Sequence, residues 1–199
     1  NNTSFDEAQF EVVGHKWTDL SEGDYGVSLI SDCKYGYEVK EGVMRMTLLR
    51  APLSPNPEMD RHVHHFTYSL YPHGGDYAAG GTVPMGYFVN EPLEARPITG
   101  RGLAANKAAL VRASSEHIVV ETFKRALSGD GSIVRLYECH NSRGTITLTF
   151  ARPVGKAYEC DLMERYIGPI SSEGNRVIFD IKPFEIKTLY IRFNDAMEG

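Results

Sequence analysis

Period-two alternation of apolar and polar residues recurs along the chain, the mark of strands with one buried face. "GTITLTF" (144–150) is the clearest stretch: Ile146, Leu148 and Phe150 are expected inward, Thr145, Thr147 and Thr149 outward. "VMRMTLL" sets Met44, Met46 and Leu48 against Arg45 and Thr47. "HFTYSLY" places Phe66, Tyr68 and Leu70 on the face expected in the core, with His65, Thr67 and Ser69 opposite. Further strands are expected at 10–13, 26–31, 117–123, 132–139, 176–181 and 184–193. In the last, the apolar phase slips from Phe184 and Ile186 to Leu189, Ile191 and Phe193, which reads as a β-bulge.

Turn signals, "KEG", "SGDG", "NSRG" and "SSEG", separate these runs. Residues 51–62 form a Pro-rich loop, and the Gly/Pro-rich stretch 72–106 is expected to be irregular. "RGLAANKAALVR" holds helix formers yet suits a strand equally. The fold class is therefore all-β, an antiparallel β-sandwich. Residues 1–110 make its front half with long Pro/Gly loops; 111–199 are hairpin-rich and complete the sandwich or form a smaller second β-sheet domain.

Composition narrows the function classes. The 199 residues are 42% hydrophobic and 24% charged, ordinary for a soluble globular protein. A net charge of −5 provides no basic stripe, which argues against nucleic acid or an anionic membrane as partner. No apolar run is long enough for a membrane span, and "NNTSFDEAQF" lacks the basic and apolar regions of a signal peptide. Cys33, Cys139 and Cys160 are far apart with no C-x-x-C, so a reducing, cytoplasmic compartment is expected.

Candidate chemistry is sparse. His62 and His64 share a strand face, as zinc ligands could, with His65 and His73 nearby; no third and fourth ligand follow in pattern, so no metal site is assigned. Acids such as Asp24, Asp32, Glu38, Asp60, Asp76 and Glu91 show no spacing that would set two carboxylates across a glycosidic bond. There is no G-x-S-x-G, and no catalytic residue is assigned. Tyr25, Tyr35, Tyr37, Tyr77, Tyr87 and Trp17 suit sugar rings, but tyrosine is equally at home in strands and cores.

One block carries the reading further. "DLSEGDYGVSLISDCKYGY" (19–37), followed in order by "NEPLEARP" (90–97), "VVETFKRA" (119–126), "IVRLYECHNSRG" (133–144), "DLMER" (161–165) and "PFEIKTLYI" (183–191), resembles the C-terminal β-region of glycoside hydrolase family 38 α-mannosidases, cytosolic and bacterial branch. The resemblance covers nearly the whole chain. It implies a β-sandwich similar to the galactose-mutarotase-like supersandwich, within an enzyme that hydrolyses terminal α-mannosides with retention. In that family an Asp nucleophile and a zinc ion held by His and Asp lie in an N-terminal α/β-barrel. No segment here resembles the barrel motifs, so the resemblance implies no catalytic residue and no cofactor in this chain, with zinc in the barrel. The implied partners are that barrel, in the same polypeptide, and a mannose-containing oligosaccharide, with room for a homo-oligomer. Because loops of the β-region approach the cleft in related enzymes, Asp32, Lys34, Tyr35 and Tyr37, with Arg61 and His62 from the Pro-rich loop, are the substrate-cleft candidates. The alternative is that they brace the hairpin or the contact with the barrel. An autonomous sugar-binding module and a mutarotase-like sugar enzyme are the competing function classes.

Overall fold

The computed structural model describes residues 11–95, 97 and 109–194. The chain divides into two compact units, Asn1–Ile98 and Thr99–Gly199; the sequence pattern places the division at 110/111. Both are built from antiparallel strands, as the alternation predicts.

In the first unit, β1 (Val12–Val13), β4 (Gly36–Lys40) and β5 (Val43–Met46) form one sheet in the order β1-β4-β5. β2 (Trp17–Glu22), β3 (Tyr25–Ser31) and β6 (Tyr68–Gly74) form a second, in the order β2-β3-β6. The β4–β5 hairpin turns on Glu41 and Gly42, both at positive φ (52° and 75°), the pairing that a two-residue hairpin loop demands. A single helix, α1 (Thr82–Asn90), is found among the described residues. It falls in the stretch expected to be irregular. Nine residues interrupted by Gly86, with Pro84 in the first turn, carry little helical signal. Tertiary contact supplies what propensity does not: a Cβ on Gly86 would come within 2.9 Å of the Trp17 indole, so glycine lets the helix settle there. The Asn90 amide donates to the carbonyls of Ser31 and Gly86 and fastens its far end.

Beneath α1 the sheet presents a polar lock. The register puts Asp19 opposite Ser28, Ser28 opposite Tyr71, and Gly26 opposite His73 on one face. The Asp19 carboxylate accepts hydrogen bonds from Ser21, from the Ser28 hydroxyl (2.7 Å) and from His73 Nε2 (2.7 Å). Ser28 thereby spends its proton, so the Thr82 hydroxyl of α1 donates to Ser28 Oγ at 2.6 Å. Glycine is required on both sides of the imidazole, because a Cβ on Gly26 or Gly80 would lie 2.4 Å or 2.2 Å from the His73 ring. This arrangement inverts β6: Ser69 and Tyr71 are half-buried and His73 is buried, whereas Tyr68 and Leu70, expected in the core, are 56% and 67% exposed.

The second unit is a sandwich of two sheets. β7 (Val111–Ala113), β10 (Gly144–Phe150), β13 (Ser171–Glu173) and β14 (Arg176–Ile181) run in the order β13-β14-β10-β7. β8 (Ile118–Arg125), β9 (Ser132–Glu138), β11 (Val154–Cys160), β12 (Tyr166–Pro169) and β15 (Ile186–Phe193) run in the order β12-β11-β15-β9-β8. Ile146, Leu148 and Phe150 interleave with Val177, Phe179 and Ile181 from one side and Val134, Leu136, Leu189 and Ile191 from the other. Most of "RGLAANKAALVR" lies outside the described residues, apart from the short strand β7.

The phase slip expected as a bulge in 184–193 has another cause. β15 pairs with β9 in unbroken register, and the inward position ahead of Leu189 and Ile191 is taken by buried Lys187. Burial works against that charge, but Glu159 (2.8 Å) and Glu185 (3.4 Å) hold the ammonium above its usual pKa. Phe184 and Ile186 are left exposed on the other side. Register shifts occur instead in β8, between Val120 and Thr122, and in β11. At the end of β9, Glu138 is 1% exposed; its carboxylate accepts the backbone N–H groups of His140 (2.8 Å) and Phe184 (2.9 Å), tying the turn at Asn141 (φ 57°) to the one at Phe184 (φ 55°).

Candidate functional site

The loop 32–35 links β3 of one sheet to β4 of the other, because the apolar run of β3 ends where Ser31 can cap the reversal. Ser31 Oγ accepts the N–H groups of Cys33 (3.4 Å) and Lys34 (3.1 Å). Asp32 then accepts the Thr67 N–H with both oxygens (3.0 and 2.9 Å), while Asp32 N–H returns a bond to Thr67 O. The Cys33 thiol and the Thr67 amide hold the Asp32 carboxyl below the usual range. Tyr37 is 1% exposed and donates its hydroxyl to Lys34 O at 2.8 Å, supporting the loop from beneath.

Above that support lie Lys34, whose ammonium rests 4.6 Å from the centre of the Phe66 ring, and Tyr35, half-exposed and 4.8 Å from the His15 ring. They line an open cleft of about 330 Å3, together with Cys33, Gly36, the segment Thr47–Arg50, Asp60 and His64.

The Pro-rich loop is brought to this cleft by Asp60. Its carboxylate accepts the N–H groups of Arg50 (3.3 Å) and Ala51 (2.7 Å), closing residues 51–60 into a loop with adjacent ends. Those amides, Ala51 foremost, together with His64 and His62, keep the Asp60 carboxyl low. His64 Nε2 meets Asp60 O at 3.1 Å, and the His62 and His64 rings are 4.1 Å apart. Arg61 is exposed and pairs with Glu58 at 2.9 Å, while Arg50 pairs with Glu11.

Of the sequence-derived candidates, Lys34 and Tyr35 line the cleft; Arg61 and His62 follow Asp60 on its clamped loop; Asp32 and Tyr37 hold the backbone that presents it. Arg50, Asp60 and His64 were not singled out as cleft residues. The sequence reads Asp60, inside the Pro-rich loop, only as one acid among several and His64 only as one of a histidine pair, because an Asp that closes a loop on amides about ten residues away has no local pattern. His73 sits apart, in the lock under α1. Among the described residues no group of three or more His, Cys, Asp or Glu is arranged to hold a metal ion.

Comparison with known proteins places this architecture. Residues 1–58 match the family described as "Glycosyl hydrolases family 38 C-terminal domain", and 117–189 match "Glycosyl hydrolases family 38 C-terminal beta sandwich domain". The chain is 38% identical to Alpha-mannosidase 2C1 of Homo sapiens over 96% of its length, which is 19% of that protein. It is 38% identical to Alpha-mannosidase G of Dictyostelium discoideum over 94% of its length, 18% of that protein. The chain thus spans about a fifth of the length of these curated relatives. The crystal structure of an alpha-mannosidase from Enterococcus faecalis superposes over 92% of this chain and 21% of that one, with a TM-score of 0.71 at 19% identity, a likeness of fold. With separate C-terminal matches in each of its two units, the chain belongs to glycosyl hydrolase family 38, as part of the family's C-terminal β-region.

Proposed function

We propose that this chain is the largely non-catalytic β-sandwich portion of a retaining, zinc-dependent α-mannosidase that removes terminal α-mannosyl residues. The observation that carries the reading is 38% identity, sustained over 96% of the chain, to an α-mannosidase of which it covers only 19%. In this reading the hydrolytic carboxylates and the zinc reside in a barrel elsewhere in the polypeptide.

The chain's contribution is a scaffold and a lip. Lys34 and Arg61 present N–H donors to sugar hydroxyls, His62 adds a ring that can donate or accept, and Tyr35 offers an apolar face to the C–H side of a pyranose. Asp32, Tyr37 and Asp60 fix where those groups stand. Cytoplasmic placement belongs to the same reading and is supported by three free cysteines; burial pushes the Cys139 and Cys160 thiols up to about 11, out of reach of easy oxidation. No described helix is long and apolar enough to cross a membrane.

In the polypeptide that joins this chain to its barrel, Lys34→Ala and Arg61→Ala raise KM for an aryl α-mannoside about fivefold each, as loss of one hydrogen bond to bound sugar does, with kcat little changed. Steady-state kinetics check this. Unchanged KM in both variants would reduce the lip to a structural brace.

A further inference from the structure

We infer that the outer face of the β1-β4-β5 sheet carries a second sugar subsite, which holds the part of an oligosaccharide that follows the terminal mannose. This rests on the proposed function and deepens it. An enzyme that removes terminal residues leaves the remainder of its substrate outside the reacting pocket, and that remainder needs a surface to lie on.

An open hollow of about 730 Å3 provides one, and it runs on from the lip: Tyr35, Gly36 and Arg50 line both this hollow and the 330 Å3 cleft. Strand geometry builds it. Tyr37 is buried, so its neighbours Gly36 and Glu38 face the opposite way, out of the unit. The register sets Val13 beside Gly36 and Arg45 beside Glu38. Gly36 leaves the floor bare, since a Cβ there would stand 3.4 Å from Thr47 and 3.7 Å from the Glu11 carboxylate. Half-exposed Tyr35 and exposed Val13 supply apolar surface at its rim.

The walls are polar and fixed. Glu38 meets Arg45 at 2.6 Å, and Glu11 accepts from both Arg50 and the Thr47 hydroxyl. The two carboxylates are mostly shielded, at 21% and 29% side-chain exposure, so they stand as walls rather than as free surface acids. Two carboxylates against two guanidinium groups leave no net charge, which favours a neutral, hydroxyl-rich ligand over an anion or a cation. A carboxylate has about four lone-pair sites and a guanidinium five N–H groups, so each pair keeps acceptors and donors for vicinal hydroxyls. The hollow alone falls within the roughly 300–1,000 Å3 of a typical ligand pocket, and with the adjoining cleft it has room for more than one ring.

The test uses the longer polypeptide that includes the barrel and compares two substrates. One is an aryl α-mannoside, which has no hydroxyls beyond the terminal mannose; the other is an α-linked mannotriose. Glu38→Ala removes a wall, and Val13→Trp fills the hollow. Each is expected to raise KM for mannotriose about fivefold or more, as loss of one hydrogen bond or of ring contact does, while KM for the aryl mannoside stays within about twofold of the parent. Melting temperatures are expected to match the parent, because an exposed ion pair adds little stability. Unchanged KM for mannotriose in both variants overturns the inference. So does an equal rise on both substrates, which would make these residues part of the lip, or a lowered melting temperature with mannotriose KM unchanged, which would make the hollow a packing seat for other chain. A parent inactive on both substrates sinks the proposed function instead. Mannotriose binding measured by calorimetry and weakened by Val13→Trp then still supports the subsite, and absence of binding overturns it.

Discussion

Asp19→Ala destabilises the first unit by about 3 kcal/mol, the cost of stranding several buried donors at once. The carboxylate is the common acceptor for Ser21, Ser28 and His73, and through Ser28 it orders the Thr82 hydroxyl at the start of α1. With the acid gone, His73 Nε2 faces a void, and the ring cannot shift to find a partner because Gly26 and Gly80 press on it from both sides. Asp19→Asn keeps the volume but turns an amide N–H toward groups that are themselves donors, so it recovers little. In urea unfolding followed by tryptophan fluorescence, which reports Trp17 packed against Gly86 and stacked on Tyr77 at 5.4 Å, the transition of the first unit moves to lower denaturant. Parent-like unfolding of Asp19→Ala would show that the lock is ornamental.

Glu138→Ala is expected to cost the second unit a similar amount, about 3 kcal/mol, by unpairing amides that the carboxylate serves as a charged acceptor. Burial by itself would raise the pKa of this acid, yet the amides of Phe184, His140 and Ser142, with His117 nearby, bring it below its ordinary 4.5. The sign of the pH effect follows. A carboxyl more acidic in the folded state than in the unfolded one adds stability that is complete above about pH 4.5 and is lost as pH falls through the lower folded value. Glu138→Gln is therefore less stable than the parent at pH 7, and its stability falls less steeply between pH 4.5 and pH 3. Urea midpoints at a series of pH values measure both effects. A variant that parallels the parent throughout the acid range would show that Glu138 is not the group responsible.

These two acids also show where the sequence was opaque. Strand positions whose neighbours are all apolar were legible: Ile146, Leu148 and Phe150 point inward because β14 lies beside them and Val134 and Leu136 lie across the core. Period-two reading fails where a polar residue takes an inward position with its partners supplied from far along the chain. His73 does so through Asp19, 54 residues away, and inverts β6; Lys187 does so through Glu159, 28 residues away, and imitates a bulge. The helix was hidden because Gly86, which weakens it locally, is what lets it pack on Trp17.

The cleft was legible in the same uneven way. "DCKYGY" pointed to the loop that carries Lys34 and Tyr35, since Gly and Tyr at a strand end announce a reversal. The closure of the neighbouring Pro-rich loop, by the Asp60 carboxylate on the Arg50 and Ala51 amides, depends on contacts about ten residues apart with no sequence motif. Tyr37 illustrates the remaining ambiguity: the residue type suits a sugar platform and a core equally, and burial places it in the core.

Under the proposed function, this chain shapes and supports a mannoside-hydrolysing site whose reactive groups lie elsewhere in the polypeptide. That is tested most directly by incubating the purified 199-residue protein with an aryl α-mannoside, with and without added zinc, beside the longer polypeptide that includes the barrel. Release of the aryl group is expected from the longer polypeptide alone. Turnover by the 199-residue protein above a buffer blank, abolished by a substitution within it, would place reactive groups in this chain and overturn the proposed function.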